Sequence, residues 1–349
     1  NTKVIRDRMK NGIATFKNVQ ILDMAKTKVE TVVEQGVHVP LHLGKNADAF
    51  FKNNKKVDHN PEVATTQSGD YFYLYTLPLI NYYHMLLDGV GCLVRYFELL
   101  ESNKNIKLLL NQSPRPKGGI VNHPPFVIEL LDLLGIDWEY TDEHCVYERV
   151  YFGDTVGQTD NGKRIRPDNR QYALLKQCIR RAKLVAQTPQ HEKIYLSRRA
   201  HANPLNNRKA VIGEDNTVKR GLTNEDEVVD ILASLGYTEV FGENYTLAEK
   251  IVLFNGMKKY ISTAGAGVAN ILWTMPNSVS VGGIHTPGFP FPSDSHSRHI
   301  CCSKEFLQAT IDVYPGKVVF VDPQAGAGNY NSPWYINNLV AFKKWAAQI

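Results

Sequence analysis

The sequence is poor in the patterns that announce the commonest chemistries. Its five cysteines, at positions 92, 145, 178, 301 and 302, contain no CxxC spacing and cannot all pair within one chain. A disulfide-dense miniprotein is thereby ruled out, and free or buried thiols in a reducing compartment are expected. No apolar run approaches the length of a membrane-spanning helix, so a soluble chain without a transmembrane segment is expected. HExxH, GxSxG, GK[ST] and paired-aspartate signatures are all missing, which leaves no motif for a zinc protease, a nucleophile-elbow hydrolase or a P-loop. Charge of one sign is scarce too. Forty basic against 35 acidic residues give a net +5, whereas nucleic-acid surfaces concentrate basic residues on one face. No nucleic-acid partner is indicated, and an anionic small molecule fits the balance equally well.

What remains is ordinary globular composition, with 43% hydrophobic and 21% charged residues over 349 positions. That length predicts two domains. No signal-peptide pattern is present and the first residue is Asn1, so trimming or excision from a longer polypeptide is expected. The compartment is then the cytoplasm or, if a targeting segment was removed, the secretory lumen. Asn111-Gln112-Ser113 and Asn244-Tyr245-Thr246 match the glycosylation sequon, as chance allows in an asparagine-rich chain.

The first half predicts strands at Val19–Leu22, Tyr71–Leu77, Ile106–Leu110 and Glu143–Phe152, with a candidate at Thr31–Val39 interrupted by Gly36. Asn81 opens a helix whose apolar face runs from Met85 to Phe97, and Phe126–Leu134 is a helix stopped by Gly135. Asp168–Val185 is a basic amphipathic helix, with Gln171 three positions after its cap. Gln187–Glu192 is the expected linker. Beyond it, Lys193–Ser197, Glu239–Phe241, Lys259–Ser262, Ser278–Gly282 and Lys317–Val321 alternate with helices, one of them capped by Thr246 and Glu249. Such βα repeats predict a parallel, Rossmann-like sheet. The domain boundaries are therefore 1–190, 191–332 and a terminal helix at 333–349.

Three stations can carry chemistry. Gly265, Ala266 and Gly267 form a turn between a strand and a helix that begins before Asn270. Its glycines let backbone N–H groups approach an anion, and the helix start adds partial positive charge. A purely structural tight turn is the alternative. Arg198 and Arg199 leave the carboxyl end of a strand, where open α/β sheets hold ligands and a guanidinium suits phosphate oxygens. His84 and Asp88, four apart on a helix, share a face and can serve as proton acceptor and orienting partner, or form a helix-internal polar pair. Arg220 and Glu225 read as a surface pair. His285, His296 and His299, in a proline-containing loop, have no spacing that imposes a metal site.

Taken in order, these residues resemble glycosyltransferase family 61, which includes plant β-1,2-xylosyltransferases and O-linked N-acetylglucosaminyltransferases. The matching stations are Asn81-Tyr82-Tyr83-His84 with Asp88, Tyr195 through Arg199, Arg220 with Asn224 through Glu227, Leu247 through Phe254, and Gly265 through Asn270. The resemblance implies a GT-B architecture, two Rossmann-like domains facing across a cleft. It also implies inverting, metal-independent transfer from a nucleotide sugar, a UDP-sugar foremost, to a glycan or glycoprotein hydroxyl. No cofactor is implied beyond that co-substrate. Arg198, Arg199 and the Gly265–Gly267 turn would meet the diphosphate, and Asn270 would border it. Glu249, where the family more often has glutamine, would contact nucleotide or sugar, and Arg220 and Glu225 would organise the cleft wall. Asp88, or failing that His84, would be the base. The terminal helix would cross back to the first domain, as in other GT-B proteins. The alternative is a binding protein of the same fold that has lost catalysis.

Overall fold

The structure is a computed structural model that describes residues 8–22, 31–35, 37–40, 61–74, 81–112, 123–156, 158–160, 163–198, 222–263, 265–274, 279–284, 319–321 and 335–349. At 37–40, 158–160, 163–166 and 319–321 the backbone alone is described. The chain divides into two compact units, Asn1–Gly157 with Pro167–Leu174, and Gln158–Arg166 with Leu175–Ile349. Each is built on its own β-sheet flanked by helices.

The first unit carries β1 (Ile13–Ile21), β2 (Thr31–Glu34), β3 (Val37–Pro40), β4 (Thr65–Leu74), β5 (Lys107–Leu110), β6 (Trp138–Tyr140) and β7 (Cys145–Gly153) in the order β3-β2-β1-β7-β4-β5-β6. Strands β7, β4, β5 and β6 are parallel. β1, β2 and β3 extend that core as an antiparallel meander. The interrupted candidate around Gly36 is therefore two strands, and the sheet is mixed rather than wholly parallel. Period two decides what is buried. Tyr71 and Tyr73 join a cluster with Phe16, Tyr147 and Phe152, while Phe72 meets Tyr96 edge-on at 5.7 Å on the opposite face.

Tyr96 belongs to a helix with a defect. α1 (Tyr82–His84) runs through a π-helical turn, Met85–Gly89, into α2 (Val90–Ser102). α3 (Pro125–Leu134) ends at Gly135, whose φ of 68° satisfies the left-handed cap expected of glycine. Asn111 is wholly buried and its amide donates to the Leu22 carbonyl, 3.0 Å, so the first sequon is closed to modification in the folded chain.

The second unit contains a β8–β9 hairpin (Gln158–Asp160 and Lys163–Arg166) and a sheet of β10 (Lys193–Leu196), β11 (Thr238–Val240), β12 (Lys259–Thr263), β13 (Ser280–Ile284) and β14 (Val319–Val321). That sheet is entirely parallel, in the order β11-β10-β12-β13-β14. α4 (Asn169–Val185), α5 (Glu225–Ser234), α6 (Leu247–Asn255), a 3₁₀ helix (Ala266–Trp273) and α7 (Leu339–Gln348) complete the helices that concern the site. The boundary between units falls inside α4, because its first turn is tied to the first unit through Gln171 and Arg170. The terminal helix α7, expected to return to the first domain, buries Phe342, Trp345 and Ala346 among Tyr195, Val228 and Ile261 of the second.

His123 is buried, its Nε2 donating to the Asn111 carbonyl at 2.9 Å and its ring stacked on Tyr140. Burial holds this imidazole below the ordinary 6.5 despite the hydrogen bond. An unfolded chain therefore takes up a proton near 6.5 that the folded one resists, and stability falls as pH drops through that value. In urea melts at pH 8 and pH 5 the wild type should lose more stability on acidification than His123→Asn. Equal losses would contradict the assignment.

Candidate functional site

The first unit offers a hydrogen-bonded dyad. Asn81 caps α1, its side-chain oxygen accepting from the N–H groups of Tyr83 at 3.0 Å and His84 at 3.4 Å. His84 Nδ1 lies 2.7 Å from Asp88 Oδ2, with the two side chains 29% and 23% exposed, so the pair is neither sealed in the core nor fully solvated. A carboxylate at that distance accepts from Nδ1–H and leaves Nε2 as the basic nitrogen. The π turn starts directly after His84 and contains Asp88, and such turns recur at functional positions. Helical periodicity places His84 and Asp88 on one face but does not reveal that turn.

The second unit offers an anion-binding geometry at the carboxyl ends of β10 and β12. In sequence order the parallel strands run 2-1-3-4-5, and connections depart to opposite sides between the first and third, which are β10 and β12. Alternation along the end of β10 and the two residues after it sorts four consecutive side chains. Tyr195 Oη and Ser197 Oγ, on one face, donate to Glu225 Oε1 at 2.7 and 2.8 Å, and the Arg198 N–H joins them at 3.1 Å. Leu196 and Arg198, on the other face, lie against the glycine turn. A β-carbon on Gly267 would overlap Leu196 Cδ2, and one on Gly265 would overlap Arg198 Nη1. Gly265 also has φ 154° and ψ −175°, a region essentially confined to glycine. Gly265 is thus required by its backbone conformation, and at both positions a β-carbon would push the end of a side chain off the turn.

The turn is braced from below. The Gly267 carbonyl accepts from Tyr260 Oη at 2.8 Å and Asn270 Nδ2 at 2.9 Å. Burial raises the Tyr260 phenol far above its ordinary value, so it remains a proton donor. Asn270 is buried and has this structural use. Ala266 opens the helix, expected over Val268–Trp273, and it is a 3₁₀ helix. The Gly265 carbonyl accepts from the Val268 N–H three residues on, at 3.1 Å, the 3₁₀ pattern in place of the α-helical one.

Glu225, expected at the surface, is a buried carboxylate that gathers three donors. Glu249 is committed to the start of α6, where Oε2 accepts from both the N–H and the hydroxyl of Thr246, at 2.8 Å each. That is the capping box read from the sequence, which gives Glu249 a structural use at the start of the helix. Arg199, Arg220, His285, His296 and His299 lie outside the described residues. Among the described residues no three metal-ligating side chains converge, and no helix is long and apolar enough to cross a membrane. Sequence reasoning gave Tyr195, Ser197 and Tyr260 no role of their own. The signal for the first two was their spacing of two on a strand.

The family model described as Glycosyltransferase 61 matches residues 82–281, more than half of the chain, and includes both stations. The chain belongs to glycosyltransferase family 61. No curated protein matches it.

Removing the Glu225 carboxylate strands three donors in a buried setting. Glu225→Ala should cost about 2–4 kcal/mol in urea unfolding, and Glu225→Gln, which keeps an acceptor without the charge, about half as much. A loss below about 1 kcal/mol for the alanine variant would show that the node is dispensable.

Proposed function

We propose that this glycosyltransferase carries out inverting transfer of a sugar from a nucleotide-sugar donor, a UDP-sugar foremost, to a hydroxyl of a glycan or glycoprotein acceptor. The observation that carries the proposal is the meeting of the Arg198 guanidinium with the Gly265 turn at the switch point of a parallel sheet. There a fixed cation and backbone N–H groups suit a diphosphate. With this goes the GT-B assignment of the chain as two Rossmann-like units, the second holding the donor.

The chemistry is a single in-line displacement. The acceptor oxygen attacks the anomeric carbon opposite the leaving phosphate, which inverts the centre, while a base removes the hydroxyl proton. His84 is the base in this proposal, with Asp88 fixing its tautomer and stabilising the imidazolium. The 2.7 Å bond at Nδ1 favours this over the reverse order expected from the sequence. As the bond to the sugar breaks, negative charge grows on the diphosphate. Arg198 and the N–H groups of the turn stabilise it in the role that a divalent cation fills elsewhere.

His84→Gln and Asp88→Asn should each lower kcat by about 10²–10⁴-fold while leaving the Kd for the donor within about twofold. Turnover unchanged in both variants would remove the dyad from the reaction. Arg198→Ala should weaken UDP binding about tenfold or more by calorimetry, since a charge-assisted hydrogen bond is lost. Activity should survive exhaustive chelation; restoration only by added Mn²⁺ would contradict the metal-independent route.

A further inference from the structure

A π turn is a costly way to build a helix, and this one is held from outside. Its carbonyls are shared irregularly, with the Val90 N–H reaching both Leu87 and Met85. The Leu87 carbonyl receives a second donor from another element, Gln171 Nε2 of α4, at 2.6 Å. Gln171 is 1% exposed, and its amide is oriented by a reciprocal cap. Oε1 accepts from the Asp168 N–H at 2.9 Å, and Asp168 Oδ1 accepts from the Gln171 N–H at 3.1 Å. With the oxygen so engaged, the NH₂ group has to face Leu87.

The surroundings leave room for this arrangement and little else. A β-carbon on Gly91 would stand 2.8 Å from the Val156 carbonyl and 3.1 Å from both Gln171 Nε2 and Thr155 Oγ1. The first turn of α4 is further tied to α2 by Arg170, which bonds Asp168 Oδ2 and Glu98 Oε1, both at 2.7 Å. Leu87 directly precedes Asp88 in the chain. Its carbonyl belongs to the peptide that leads into the Asp88 Cα, and rotation of that peptide moves the carboxylate relative to His84.

We infer that Gln171 is a positioning residue, whose bond to the Leu87 carbonyl holds the π turn in the form that brings Asp88 onto His84. The inference rests on the role proposed above for the dyad, yet it has a readout of its own. Gln171→Glu is the discriminating variant. A carboxylate still accepts from the Asp168 N–H and preserves the cap, but it opposes the Leu87 carbonyl with an acceptor where a donor stood. Gly91→Ala perturbs the same contact from the other side without touching the cap.

The test uses the full chain labelled with ¹⁵N-histidine, the His84 signals being assigned by their loss in His84→Gln. In the wild type a hydrogen-bonded Nδ1–H signal of His84 is expected. In Gln171→Glu and Gly91→Ala it should be lost or exchange-broadened, with kcat reduced about 10–100-fold and KM for donor and acceptor within about twofold. An intact His84 signal in both variants overturns the inference whatever the activity. A lost signal with unchanged kcat sustains the clamp and instead removes the dyad from the transfer step, so the two ideas fail separately.

Discussion

One carboxylate oxygen organises the second unit's candidate site. Glu225 Oε1 accepts from a phenol, a hydroxyl and a backbone N–H, at the end of β10 and on the two residues that follow it. A buried charge without partners is strongly disfavoured, and three short bonds plus a place in the first turn of α5 offset that cost. The consequence is directional. With Tyr195 and Ser197 committed to Glu225, Leu196 and Arg198 must face the other way, onto Gly267 and Gly265. Absent β-carbons on that turn are what allow an isobutyl group and a guanidinium to lie directly on backbone. The direction of Arg198 is thus set by a residue 27 positions away, through the alternation of one short strand.

The first unit reaches comparable definition by different means. Its dyad lies within one helix, where spacing alone would bring His84 and Asp88 near one another. Three further groups act on the helix that carries them: the Asn81 cap, the Gln171 amide at Leu87, and the close approach at Gly91. Family membership covers both stations, and the proposed chemistry asks of each what its geometry suits, proton acceptance at the dyad and charge stabilisation at the glycine turn.

Much of this was legible because local rules and tertiary outcome agree. Asn81, the Thr246–Glu249 box and the Asp168–Gln171 box cap where their side chains predict, and Gly135 where its lack of one does. The parallel strands of the second unit are short apolar runs between helices, which period and composition reveal. Other features lacked a sequence signal. β1 is read only at its apolar end because the alternation of its first half, from Ala14 to Lys17, is broken at Asn18, which has a positive φ of 51°. β6 is three half-buried residues, too short for a period. The π turn adds one residue to a helix whose apolar face continues on both sides, so 3.6-residue periodicity passes over it. Glu225 escaped because an acid in the first turn of a helix is ordinarily explained by the helix dipole, without burial.

The central claim is that the turn at Gly265, with Arg198 lying on it, is a diphosphate site. The most direct measurement is a crystal structure of the protein grown with a nucleoside diphosphate. Phosphate oxygens about 3 Å from the Arg198 guanidinium and from N–H groups of the Gly265–Gly267 turn are the predicted result. A nucleotide bound elsewhere, with Arg198 making no contact to it, would contradict the account.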